Sequence, residues 1–111
     1  MNFTLVQGAD VANLRDKHPN VLMIDVRDQA AHRALHLAHS FCVPLAELEL
    51  ESFVTEHASD TNRPILLICQ LGKRAVMAAE NLGGRIKNPL FVLEGGLGNC
   101  DTGSVELISA E

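Results

Sequence analysis

The residues best placed to do chemistry are six in a row, Cys69-Gln70-Leu71-Gly72-Lys73-Arg74. The thiol comes directly after the apolar run Ile65-Leu66-Leu67-Ile68, and a helical pattern follows Arg74. A strand, a tight turn and a helix start are therefore expected, with the thiol at the first turn position. A helix N-terminus offers unpaired backbone N–H groups and a partial positive charge of roughly half a unit. A turn that curls its amides inward makes an anion nest. Gly72 permits a backbone angle that a side chain resists, and Lys73 and Arg74 add two full charges. Such surroundings favour a thiolate, the species that attacks sulfur. The same cup suits the anion of a terminal persulfide, or an incoming sulfonate-like group. The alternative is a structural Cys buried at a strand end, which the Gly and the paired cations argue against.

Other groups could take part. Asp25 and Arg27 lie at a predicted strand end near the loop; an internal ion pair is the simplest reading, with Asp25 positioning the loop or Arg27 widening the positive field as the functional one. His32, His36 and His39 stand at i, i+4 and i+7, a spacing that could offer zinc one helix face. No acidic or Cys partner completes the set, so no metal is expected. Cys42 and Cys100 could resolve an oxidised Cys69, but burial as small apolar residues is the expected role of both. Glu47, Glu49, Glu51 and Glu56 read as a solvated helix face.

Positioning the thiol requires a scaffold, and three short apolar runs supply its strands: Val21-Leu22-Met23-Ile24, Ile65-Leu66-Leu67-Ile68 and Leu90-Phe91-Val92-Leu93. They are continuous rather than alternating, the pattern of strands buried on both faces. Helical patterns fill the gaps. One covers residues 9–17. Another covers 74–82, where Ala75, Ala78, Ala79 and Leu82 share a face. Gly83-Gly84 is the expected stop. Pro44 suits the first turn of a helix over roughly 44–57, although Leu48-Glu49-Leu50-Glu51 alternates like a strand. Buried strands separated by helices mean an α/β fold, a parallel sheet with helices on both faces. Ligands in such sheets bind beyond the carboxyl ends of the strands, where Asp25, Cys69 and Glu94 begin their loops.

The 111 residues fit a single domain, 1–111. A net charge of −5 argues against general affinity for nucleic acid. The three Cys form no C-x-x-C pair and no even set, which points to a reducing compartment rather than a disulfide framework. With no secretory leader pattern and no bilayer-length apolar stretch, a cytoplasmic monomer without membrane contact is expected.

Taken together, the motifs resemble the rhodanese family over nearly the whole chain. Ile24-Asp25-Val26-Arg27 is similar to its D-x-R strand end. Leu35-His36-Leu37-Ala38-His39-Ser40-Phe41-Cys42-Val43-Pro44 aligns without gaps on its G-H-I-P-G-A-x-N-I-P stretch and keeps the second-position His and the final Pro. Cys69 to Arg74 resembles its C-x-x-G-x-R loop, and Leu93-Glu94-Gly95-Gly96-Leu97 its L-x-G-G closing element. The resemblance implies a parallel sheet of about five strands and a sulfurtransferase with Cys69 as persulfide carrier. Gln70, Leu71, Gly72, Lys73 and Arg74 would form the amide cradle, with Arg74 helping to hold the loop together. His36 would lie in a turn, as a hydrogen-bonding brace between strands. No metal and no organic cofactor are implied. Thiosulfate or another persulfide would be the donor, and a thiol, a protein or cyanide the acceptor. The related cell-cycle phosphatases have a C-x5-R loop; the four residues between Cys69 and Arg74 favour sulfur over phosphate. Several positions depart from the pattern. Leu35 and His39 replace Gly, Ala31 and His32 stand where an acidic residue is common, and Gln70 stands where a cation is frequent. Ala75 replaces Ser or Thr, and Cys100 replaces Trp. These departures motivate the alternative of a non-catalytic module that binds a partner or senses redox state.

Overall fold

The computed structural model describes residues 3–44, 50–99 and 107–109. The elements run β1 (Thr4–Val6), a 3-10 turn (Gly8–Asp10), α1 (Val11–Lys17), β2 (Leu22–Asp25), α2 (Gln29–Ala34), β3 (Leu35–Leu37), β4 (Phe41–Cys42), α3 (Leu50–His57), β5 (Ile65–Ile68), α4 (Lys73–Leu82), β6 (Leu90–Leu93), a second 3-10 turn (Leu97–Asn99) and β7 (Leu107–Ser109). Five strands form one sheet in the order β1-β6-β5-β2-β4, and all of its pairings are parallel. The nucleophile's strand, β5, is in the centre. The expected α/β architecture is present, with the three apolar runs as the three central strands.

Side chains in a strand alternate between faces, and the two core clusters follow that parity. Leu22, Ile24, Ile65, Leu67 and Val92 pack with Leu50 and Val54 of α3 and with Ala75, Ala78, Ala79 and Leu82 of α4. Met23, Leu66, Ile68 and Leu93 face the other way, toward Val11 and Leu14 of α1. Cys69 continues the odd-numbered series of β5 and so belongs to the α4 side. The three Ala of α4 have no exposed surface. Their small size lets the helix lie close to the sheet.

Two local expectations change. The helix expected over 44–57 is a helix at Leu50–His57. Pro44 lies outside it, and residues 45–49, with Glu47 and Glu49, are outside the described residues. Gly83-Gly84 ends α4 as expected: Gly83 keeps helical angles (φ −57°, ψ −25°), and the chain leaves through bonds from the Arg85 and Ile86 amides to the Leu82 carbonyl. His36 is in strand β3 rather than a turn, and β3 pairs antiparallel with β7 in a separate two-stranded sheet. The continuous apolar runs carried no signal for that ribbon, because its strands are three residues each and partly exposed. Among the described residues no helix is long and apolar enough to cross a membrane.

The turn between β3 and β4 is closed by the Ser40 amide and hydroxyl, both donating to the Leu37 carbonyl. His39, at its third position, has φ +69°. That left-handed angle is one that Gly takes freely and a side chain resists, which is how the chain manages without the family's glycine. Replacing His39 by Gly is expected to raise unfolding stability by about 0.5–1 kcal/mol; a urea or thermal unfolding series showing no gain would count against backbone strain at this turn.

Candidate active site

The thiol of Cys69 stands at the N-terminal end of α4. Its Sγ accepts from the Gly72 amide at 2.9 Å and the Ala75 amide at 3.4 Å. Gly72 caps the helix with φ +90°, which swings its N–H back toward the thiol. Ala75 supplies one of the first-turn N–H groups that have no partner within a helix. Of the cradle expected over residues 70–74, the Gly72 amide is on the sulfur, and the second donor is Ala75, one position beyond, where a backbone N–H serves whatever the side chain. Cys69 is 2% exposed, but it lines a cavity of about 350 Å³ together with Arg27, Asp28, Gln70, Lys73 and Arg74.

The loop is held from behind by the closing element. The Leu97 amide donates to the Cys69 carbonyl and the Gly98 amide to the Gln70 carbonyl, both at 2.8 Å. Gly95 and Gly96 have φ +74° and +67°. A Cβ at Gly96 would fall 2.3 Å from the Cys69 carbonyl oxygen and 2.5 Å from the Gln70 carbonyl. The two glycine sites meet back to back, since a Cβ at Gly72 would come within 3.0 Å of the Gly95 amide nitrogen. In the sequence, residues 93–97 show only the L-x-G-G pattern. Paired glycines straight after the strand neighbouring the nucleophile's strand were the available signal for this close approach.

Asp25 and Arg27 form the internal ion pair expected of them. Asp25 is fully buried and Arg27 is 6% exposed. The Arg27 Nη2 lies 2.8 Å from Asp25 Oδ2 and also donates to the Leu35 carbonyl, while Nε donates to both carboxylate oxygens. The pair also reaches the site, because Arg27 Nη1 donates to the Gln70 side-chain oxygen at 3.3 Å. Lys73 and Arg74 are exposed on the cavity rim. The bonds that hold the Cys69 and Gln70 carbonyls come from Leu97 and Gly98; the resemblance implies that Arg74 helps to hold the loop together. Leu71 is 67% exposed and joins the cavity to a second, apolar groove along Val76 and Met77.

The three His do not act together. His32 and His36 stack with ring centroids 4.0 Å apart. The Nδ1 of His36 bonds the His32 carbonyl at 2.8 Å, so His36 braces the junction of α2 with β3 rather than bridging strands. His39 is apart, in its turn. Among the described residues no group of His, Cys, Asp and Glu is arranged to hold a metal. The pKa of His32 is lowered from its ordinary 6.5 by burial first and by the neighbouring His36 second, with Arg27 adding to the lowering and Asp25 and the Ser40 backbone opposing it. Cys42 is half-buried rather than buried, being on the edge strand. Its neighbour in register is Asp25, whose other neighbour is Ile68. Two strand spacings, roughly 10 Å, thus separate it from the end of β5, too far for a disulfide without backbone movement. Cys100 is outside the described residues.

The family model for the rhodanese-like domain matches residues 8–100. The chain is 34% identical over 89 residues to the adenylyltransferase and sulfurtransferase MOCS3 of Drosophila persimilis, covering 77% of this chain and 20% of that protein. The corresponding protein of Drosophila ananassae is 33% identical over 95 residues, covering 79% of this chain and 21% of its own length. The chain therefore spans about one fifth of these curated relatives. Among solved structures, a thiosulfate sulfurtransferase from Pseudomonas aeruginosa superposes with a TM-score of 0.84 at 22% identity, over 98% of this chain and 21% of that one. A rhodanese-related protein from Thermoplasma volcanium gives 0.76 at 20% identity, over 96% and 98%. At these identities the structures speak for the fold.

Two outcomes follow from the site's packing and charge. Gly96→Ala is expected to lower stability by about 2–4 kcal/mol and to displace the Cys69 loop; unfolding curves, read with the rate of Cys69 alkylation, measure both. His32, with its folded pKa below the unfolded value, binds fewer protons folded than unfolded as pH falls through 6.5. Its contribution to stability is then complete above 6.5 and is lost toward the folded pKa. Urea midpoints between pH 5 and 8 should fall more steeply for the wild type than for His32→Gln on the acid side; parallel curves would remove the effect.

Proposed function

Because this chain belongs to the rhodanese-like domain family, we propose that it is a sulfurtransferase that carries sulfane sulfur on Cys69. The observation that bears most weight is the pair of backbone donors on the Sγ, from Gly72 at 2.9 Å and Ala75 at 3.4 Å, at a helix N-terminus beneath an open cavity. Hydrogen bonds to a charged acceptor are about twice as strong as neutral ones. The arrangement therefore favours sulfur that stays anionic, whether a thiolate or the outer atom of a persulfide.

The reaction is a two-step exchange. The Cys69 thiolate attacks the outer sulfur of thiosulfate, and a new sulfur–sulfur bond forms. The bond to the sulfonate group breaks, and sulfite leaves with the electron pair. Cys69 then carries a persulfide anion, with the amides of Gly72 and Ala75 close by. An acceptor thiolate, or cyanide, attacks the outer sulfur and Cys69 departs as thiolate. With an alkyl persulfide as donor the leaving group is the alkyl thiolate. No proton need be removed from an ionised thiol, so no general base is invoked. Lys73 and Arg74 on the rim attract anionic donors.

The departures at His39 and Ala75 weigh little against catalysis. His39 takes the left-handed angle itself, and Ala75 contributes through its backbone. They therefore lend no support to the non-catalytic alternative. The four residues between Cys69 and Arg74 make a phosphatase role less fitting. We take the chain to act in the cytoplasm as a monomer.

Treatment with thiosulfate or an alkyl persulfide should add the mass of one sulfur to the wild type, mapped to Cys69 by peptide analysis. Cys69→Ser should gain nothing, lose sulfurtransferase turnover and remain folded. Sulfur uptake that survives in Cys69→Ser would refute the assignment, and phosphate-ester turnover would redirect it.

A further inference from the structure

We propose that Gln70 decides which sulfur donors the cavity admits, by taking one of the two N–H groups on the nitrogen that the buried Arg27 leaves available to a ligand. The proposal rests on the reading of Cys69 as sulfur carrier and concerns the donor class of that same site.

A guanidinium has five N–H donors. In Arg27, Nε is used on Asp25, at 3.0 and 3.1 Å from its two oxygens. Nη2 is used on Asp25 Oδ2 at 2.8 Å and on the Leu35 carbonyl. Both N–H groups of Nη1 lie outside this arrangement, and Gln70 Oε1 accepts from Nη1 at 3.3 Å, a long bond. Arg27 lines the cavity over Cys69 while Asp25 is fully buried. Asp25 offsets the charge of Arg27, so Nη1 recognises a ligand by hydrogen bonding more than by its field. Lys73 and Arg74 supply the field; they are exposed, are screened by salt, and draw in all anions alike.

Discrimination therefore falls to Nη1. Thiosulfate brings a sulfonate head whose oxygens need a donor, and they compete with Gln70 Oε1 for it. An alkyl persulfide has no oxyanion head and needs only the amides facing Cys69. Gln70 thus tilts the site away from oxyanion donors and toward alkyl persulfides. Its position is one where a cation would do the opposite.

Gln70 is exposed, so Gln70→Ala and Gln70→Glu are expected to fold, which circular dichroism checks. Two readouts on the full chain test the idea: kcat/KM for thiosulfate relative to the carboxylate-free persulfide of 2-mercaptoethanol, and protection of Cys69 from iodoacetamide by inorganic sulfate, which needs no turnover. Gln70→Ala should raise the thiosulfate preference and tighten sulfate about three- to tenfold, the worth of one competing hydrogen bond. Gln70→Glu, placing a carboxylate on Nη1, should shift both the other way. Alanine and glutamate variants within twofold of wild type, or moving in the same direction, would overturn the proposal. If no variant takes up sulfur yet sulfate protection follows this order, the gate stands and the carrier reading fails; normal sulfur uptake with unmoved sulfate protection has the reverse meaning.

Discussion

Two N–H groups pointed at one sulfur atom set the terms for the rest of this molecule. A lone hydrogen bond to a thiol is weak, but a preorganised pair at a helix end, shielded from bulk water, acts on charge without having to reorganise. Holding that pair in place needs a strand that delivers the thiol, a turn that doubles back and a helix that starts within a few residues. The central position of β5 supplies the first. The left-handed Gly72 supplies the second. The small residues of α4 let the third lie close against the sheet.

The turn would not keep its shape alone. Its outer side rests on the backbone of Gly95 and Gly96 so closely that no Cβ fits between them, and the amides of Leu97 and Gly98 take up the carbonyls of Cys69 and Gln70. On the inner side the Asp25–Arg27 pair ties the end of β2 to the loop. A buried ion pair is a weak source of stability in itself. Here its hydrogen bonds reach Leu35 and Gln70 as well, so it links the sheet, the start of β3 and the loop in one network.

Much of this was legible in the chain. Continuous apolar runs marked β2, β5 and β6 because strands covered on both faces have no polar side to show. The Ala75-Ala78-Ala79-Leu82 stripe marked α4 because helix packing writes itself at that interval. The Cys69 loop was legible because its glycine and cations are side-chain facts. Other features left no such mark. The Ala75 amide is backbone, and any residue but Pro would provide it. The left-handed angle at His39 contradicts its residue type. Strands of two or three residues, such as β3, β4 and β7, are too short to develop a period, and their pairing is decided by tertiary contacts. The His32-His36-His39 spacing suggested one helical face, but α2 ends at Ala34, and only His32 and His36 stay in contact while His39 lies apart in its turn.

The grip on sulfur belongs to the main chain, and inheritance is therefore lenient with its side chains. Gln70, Leu71, Lys73 and Arg74 are all exposed around a geometry that none of them creates. A lineage can exchange them, retuning what it accepts and from whom, while the chemical step is passed on unaltered. Glycines 72, 95 and 96 have no such latitude. Descendants of this chain should diverge at the rim long before they diverge at the hinge of the cup.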